Sequence, residues 1–75
     1  MKEIKTGIYQ HYKGNKYLVL ATAKHSETLE DMVVYVSLYE NPESQVWVRP
    51  ADMFFEKVKY KDKLIERFKY LEKQS

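Results

Sequence analysis

At 75 residues, with a net charge of +2 and no cysteine, the chain has room for one domain and one core, and no disulfide can staple it. Its 15% aromatic content, seven Tyr, three Phe and one Trp, supplies the buried area that so short a chain needs. The opening MKEIKTG is charged and carries no apolar run, and Met32 to Tyr39 falls far short of the ~20 apolar residues of a membrane helix, so the sequence predicts a soluble, cytoplasmic domain with no membrane partner. The whole of 1–75 reads as a single domain, with 1–6 and 72–75 as loosely attached ends.

Gly7 to Ala23 predicts a hairpin. Gly14-Asn15 suits a two-residue type II′ turn, in which glycine enters positive φ at no steric cost. That turn would set Tyr12 opposite Tyr17, His11 beside Leu18 and Tyr9 opposite Leu20. Of the two resulting faces, Ile8, Tyr12, Tyr17, Val19 and Ala21 are assigned to the core. Lys24 to Asp31 has no strand period and reads as a loop or one helical turn, with Thr28 and Asp31 resembling a capping box. Met32 to Tyr39 is the strongest strand, because Val33, Val34 and Val36 are β-branched, and Met32, Val34, Val36 and Leu38 share a face. Glu40 to Ser44 is a turn. Gln45 to Arg49 resumes the alternation, with Trp47 and Arg49 on one face, and Pro50 starts one short 3₁₀ turn.

The last third carries two patterns. Leu64, Ile65, Phe68 and Leu71 recur at helical spacing, while Phe55 to Tyr60 and Leu64 to Tyr70 read as a strand pair around Lys61-Asp62-Lys63. Charge is also segregated: residues 1 to 26 carry +4, 27 to 56 carry −6 and 57 to 75 carry +4. Paired terminal strands would then form a basic face opposite an acidic middle.

Four separated strings, HYKG at 11–14, HSETLE at 25–30, WVRPADMF at 47–54 and RF at 67–68, resemble a small bacterial domain family, the domain of unknown function 1653, over almost the whole chain. The resemblance implies an SH3-like, partly open barrel of about six short antiparallel strands, and it implies no biochemical activity. It favours strands in the last third. The chain departs from the family there, because Lys61-Asp62-Lys63 lacks a glycine and Glu66 stands where a proline is expected before Arg67-Phe68.

Chemistry-bearing constellations are few. Two histidines and no cysteine do not make a standard zinc site, and two glycines do not make a phosphate-cradling loop, so neither metal nor cofactor is expected. His25, Ser26 and Glu27 have the residue types of a nucleophilic triad, but adjacent side chains diverge, and the simpler reading makes them a capped turn. The favoured reading is a non-catalytic binding or adaptor module for a peptide, protein or small molecule. Its groove is formed by Tyr35, Trp47 and Arg49, with Tyr39 beside them and His25, Ser26, Glu27 and Thr28 as a rim. Alternatively, Trp47 fills the barrel mouth and Arg49 pairs with Glu27, Glu30 or Asp31.

A second reading makes Lys13, Lys16, Lys57, Lys59, Lys61, Lys63 and Lys69, with Tyr60 and Tyr70 interleaved, a face for RNA or DNA. The same lysines also serve to deter edge-to-edge aggregation. A third reading centres a small enzyme on His25. The expected state is a monomer or weak homodimer.

Overall fold

The computed structural model describes residues 4–73. Seven strands and one helical turn follow in chain order: β1 (Gly7–His11), β2 (Lys16–Lys24), β3 (Asp31–Ser37), β4 (Val46–Pro50), α1 (Ala51–Phe54), β5 (Lys57–Tyr60), β6 (Lys63–Glu66) and β7 (Phe68–Glu72). All pairings are antiparallel. A five-stranded sheet in the order β4-β3-β2-β1-β7 stands beside a separate two-stranded ribbon, β5-β6, so the fold is mostly β and open, with no closed barrel among the described residues. The turn after Pro50 is α-helical, closed by the Phe55 N–H donating to the Ala51 carbonyl at 3.0 Å. Loose ends were expected at 1–6 and 72–75. Residues 1–3 and 74–75 lie outside the described residues, whereas Ile4 packs on the core and Glu72 pairs with Ile8.

The first hairpin forms in a different register. Tyr9 faces Tyr17 and Gln10 faces Lys16, three residues away from the pairing that a two-residue Gly-Asn turn would set. The reason is the turn. Gly14 N–H donates to the His11 carbonyl at 2.7 Å and His11 N–H to the Asn15 carbonyl at 2.7 Å, which is the longer loop in which a four-residue turn ends on a left-handed glycine. Gly14 has φ +111 and supplies that position. An odd displacement flips the face of one strand. Hence Tyr9, at 4% exposure, enters the core with Tyr17 and Val19, while Ile8 and Tyr12 do not. Ala21 also leaves the core side, because β2 has an irregularity at Leu20 that shifts its pairing with β3.

One face of the sheet carries the core: Tyr9, Val19, Val33, Tyr35, Phe54 and Phe68, with Ser37 buried beside them. Phe54 on α1 stacks on Phe68 of β7 at 4.1 Å between centroids and 1° between planes. Tyr9 and Tyr35 meet Phe54 edge-on at 5.4 Å each, and Tyr17 meets Phe68 at 5.6 Å. β1 and β7 approach so closely at Gly7 that a Cβ there would sit 2.5 Å from the Glu72 carbonyl oxygen, so only glycine fits.

The opposite face of the sheet carries an apolar patch bordered by Glu72, Gln10, Lys16 and Lys69. Ile8, Leu18, Val36 and Val46 line up across four strands; Ala21, Val34 and Val48 form the next row; Ala23, Met32 and Pro50 form the third.

In the last third the strand pattern prevails over the helical spacing. Tyr60 faces Lys63 across a two-residue turn in which Lys61 (φ 51) and Asp62 (φ 66) are both left-handed. This is the dihedral pattern of a type I′ hairpin, normally supplied by Asn-Gly. A side-chain-bearing residue pays about 1–2 kcal/mol in that region. Replacing the pair by Asn-Gly (K61N/D62G) should therefore stabilise the domain by about 1 kcal/mol, a rise of roughly 4–8 °C in Tm for this size, measured by thermal circular dichroism. An unchanged or lower Tm would argue against a left-handed turn.

Candidate functional site

Strand alternation places Trp47 and Arg49 on the core-side face of β4, with Trp47 opposite Tyr35 and Arg49 opposite Val33. Beyond β3 the chain folds back through residues 38–45, and Gln45 organises that loop. Its side-chain amide donates to the Ser37 carbonyl at 3.1 Å, and its Oε1 accepts from the Asn41 N–H at 3.0 Å. The loop brings Tyr39 and Asn41 over the sheet, where the Tyr17 and Tyr39 hydroxyls are 2.9 Å apart and the Asn41 amide donates to the Tyr39 hydroxyl at 3.1 Å.

Tyr17, Tyr35, Tyr39, Asn41, Trp47 and Arg49 thus surround a cup of about 250 Å³. Alternation makes the Tyr35, Trp47, Arg49 trio legible in the sequence. Tyr17 and Asn41 were missed, and Asn41 before Pro42 was the available sign of an ordered turn. Tyr35, at 5% exposure, contributes to the floor of the cup more than to its surface.

The rim residues fall elsewhere. His25 to Thr28 occupy the loop that enters β3 at Asp31, four residues or about 13 Å of strand from Tyr35, and none of them lines the cup. His25 is the hub of its own turn: its N–H donates to the Glu30 carbonyl at 2.9 Å, its carbonyl accepts from Leu29 at 2.9 Å, and its Nδ1 accepts from Glu27 N–H at 3.2 Å. Thr28 Oγ1 accepts from Glu30 N–H at 3.2 Å, and Asp31 pairs with Lys24 at 2.6 Å, so the capping box does not form. Among the described residues no hydrogen bond joins the Ser26 or Glu27 side chain to His25, whose Nδ1 is taken by backbone N–H groups.

Arg49 therefore pairs with none of Glu27, Glu30 and Asp31. Its guanidinium lies 5.6 Å from the Phe68 ring centre and makes no ion pair among the described residues. The indole N–H of Trp47 is buried and likewise has no acceptor among them. Burial, with help from the Tyr39 hydroxyl, raises the Tyr17 phenol far above its ordinary value, so it stays protonated.

A second concavity, about 720 Å³, separates the ribbon from the β1 end of the sheet; Gln10, Tyr12, Lys57, Ile65, Glu66 and Lys69 are among its walls. Two hairpin tips meet above it. Tyr12 and Tyr60 touch edge-on at 5.5 Å, Lys13 Nζ lies 5.8 Å from the Tyr12 ring centre, and Lys61 Nζ lies 5.4 Å from that of Tyr60. The seven candidate lysines do not form one face. Lys57 and Lys59 share a side of β5, Lys63 lies with Tyr60 on the other, Lys16 starts β2, and Lys69 pairs with Gln10. All seven are exposed and unpaired with acids among the described residues.

The sequence profile described as "Protein of unknown function (DUF1653)" matches residues 7–70. The chain belongs to the DUF1653 family. A solved crystal structure of a DUF1653 protein from Bordetella bronchiseptica is similar to it, with 33% identity and a TM-score of 0.90 over 97% of this chain and 94% of the other. No curated protein matches the sequence. Among the described residues of this DUF1653 chain, no three His, Cys, Asp or Glu side chains gather as a metal site, and no helix is long and apolar enough to cross a membrane.

His11 borders the 720 Å³ concavity, not Leu18: it faces Phe68 across β7, at 5.0 Å between rings. Its Nδ1 accepts from the Lys13 N–H at 3.1 Å, which requires that nitrogen to be unprotonated. Burial lowers its pKa, aided by Arg49, Arg67 and Lys13. The unfolded chain, with His near ~6.5, then binds the proton more readily than the folded one. This contribution to stability is present above pH ~6.5 and is lost as pH falls through the lowered folded value. His11→Phe, which keeps the ring contact and removes the titration, should show a smaller loss of Tm between about pH 7.5 and 5 than the parent. An equal loss would remove His11 as the cause.

Proposed function

We propose that this DUF1653 chain is a non-catalytic binding module, whose ligand enters the Tyr17, Tyr39, Trp47 and Arg49 cup with a flat ring and an adjacent anionic group. The observation that carries this reading is Arg49, a half-buried guanidinium with no acid partner among the described residues, held between aromatic walls. Its planar donor fork matches a carboxylate or phosphate, and the phenol rings offer stacking surfaces. At about 250 Å³ the cup is smaller than the ~300–1,000 Å³ of drug-sized sites, so it takes one ring or one peptide side chain.

Phenyl phosphate, titrated into isotope-labelled protein, should shift the Trp47 indole and the Tyr39 and Asn41 amides with a Kd near ~1 mM, the affinity of about 4 kcal/mol. Arg49→Gln should weaken it roughly tenfold, the effect of losing one charged hydrogen bond. Shifts that avoid these residues, or indifference to Arg49→Gln, would refute the assignment.

The Tyr12–Tyr60 contact flanked by Lys13 and Lys61 favours a second reading, in which single-stranded nucleic acid crosses the larger concavity. Bases would stack on Tyr60, at 41% exposure, and Lys57 and Lys69 would meet phosphates. An eight-nucleotide oligo(U) should then bind with an affinity that falls steeply with salt, by a log–log slope of about −0.7 per phosphate contacted. Tyr60→Ala should weaken binding at every salt concentration without changing that slope. No binding at low salt eliminates this reading.

A further inference from the structure

β4 is an edge strand: among the described residues it pairs with β3 on one side and with nothing on the other. The direction of its backbone groups follows from the ladder. Ser37 N–H donates to the Gln45 carbonyl at 2.9 Å, so by the alternation of an antiparallel pair Trp47 and Arg49 also bond to β3, while Val46 and Val48 turn their N–H and C=O outward. Pro50, which has no N–H to give, falls in register with the outward set. The Ser44 hydroxyl donates to the Val46 carbonyl at 2.9 Å, which leaves the Val46 N–H and both backbone groups of Val48 without a partner among the described residues. The edge is uncovered, since Val46 and Val48 are 55% and 61% exposed. Free edges are commonly guarded by lysine. β5 carries two lysines and β6 and β7 one each, whereas Val46-Trp47-Val48 carries no charge.

We propose that this edge receives an extended acidic peptide as a sixth, antiparallel strand of the five-stranded sheet, and that the peptide supplies both the ring and the anion of the cup. The proposal rests on the Arg49 cup of the preceding reading and names its ligand class. Trp47 and Arg49 line the cup and belong to the strand that the peptide joins. A peptide residue opposite Val48 exchanges two backbone hydrogen bonds with it, and its side chain lies with that of Val48 on the outward face. Its two neighbours fall opposite Trp47 and Arg49 on the core-side face, in the pairs whose side chains approach more closely. An antiparallel peptide therefore reads acid, apolar residue, aromatic: the acid meets the Arg49 guanidinium, which has no ion pair among the described residues, and the ring meets Trp47. Main-chain bonds then give affinity, and the two alternate side chains give the choice of sequence. β4 itself, VWVRP, carries no acid, so a second copy on this edge would leave Arg49 unpaired.

Acetyl-Thr-Glu-Val-Tyr-Thr-amide is the matched probe, with its Val opposite Val48. Titrated into isotope-labelled protein, it should shift the Trp47 and Arg49 side-chain signals and slow hydrogen exchange at the Val46 and Val48 amides by roughly tenfold or more at saturation. N-methylation of the central Val removes the donor to the Val48 carbonyl and should weaken binding roughly tenfold, as should Gln in place of Glu. Phenyl phosphate run in parallel separates this proposal from the reading it rests on. If phenyl phosphate fills the cup while the peptide does not bind, or binds without protecting Val46 and Val48 and without loss on N-methylation, the edge proposal is overturned and the cup stands. If neither probe binds, both fall. Protection of Val46 and Val48 that grows with protein concentration and needs no peptide would overturn the proposal in favour of pairing between two copies of β4.

Discussion

The stack of Phe54 on Phe68 is the contact on which the rest of the molecule depends. A four-residue helix cannot hold itself together, because its few hydrogen bonds do not offset the cost of nucleation, so α1 persists only through what Phe54 buries. Phe68 in turn lies at the start of β7, the strand that the chain reaches last, and draws that strand onto β1. Tyr9, Tyr17 and Tyr35 surround the pair edge-on, the arrangement that ring quadrupoles favour. Arg49 rests against Phe68 as well. The candidate cup is thus the outer margin of the core, with Tyr17, Tyr35 and Trp47 packed into the cluster at their inner ends.

That continuity explains why the core was only partly legible. Valine and phenylalanine at β positions mark strands readily, and the strands at β2, β3 and β4 lie where alternation puts them. Tyrosine is ambiguous, since each ring is apolar with a polar tip, and Tyr9 solves the problem by donating its hydroxyl to the Lys5 carbonyl at 2.8 Å while its ring is buried. The register of the first hairpin depended on which of two glycine-containing loops formed around Gly14. A three-residue difference there inverted the side of Tyr9 and Ile8, although nothing in either residue's chemistry resists the inversion.

The site followed the same division. Trp47 and Arg49 are two apart on a strand, so their shared face needs only local geometry. Tyr39 and Asn41 reach the cup through a loop whose shape is set by Gln45 bonding back to Ser37, a relation between residues eight apart with no period to reveal it. The rim expected from His25 to Thr28 fails for the converse reason: no local pattern ties that polar loop to the groove, and the length of β3 separates them. In the last third, helical spacing of Leu64, Ile65, Phe68 and Leu71 was a coincidence of two short strands broken at Arg67; Leu64 at 71% exposure shows that those four never shared a buried stripe.

Arg67 joins the ribbon to the sheet with its own backbone. Its N–H donates to the Glu56 carbonyl at 3.1 Å and its carbonyl accepts from the Tyr12 N–H at 2.9 Å, while its side chain approaches Glu56 at 3.6 Å. Outside that residue and the edge-on Tyr12–Tyr60 contact at its tip, the ribbon is closed by its own pairing, Lys57 with Glu66 through Tyr60 with Lys63. A hairpin held at its base by Arg67 and near its tip by the Tyr12–Tyr60 contact can be resequenced at Lys61 and Asp62 without touching the Phe54–Phe68 stack. A foreign peptide loop grafted between Tyr60 and Lys63 would then be displayed on a scaffold whose core it does not enter.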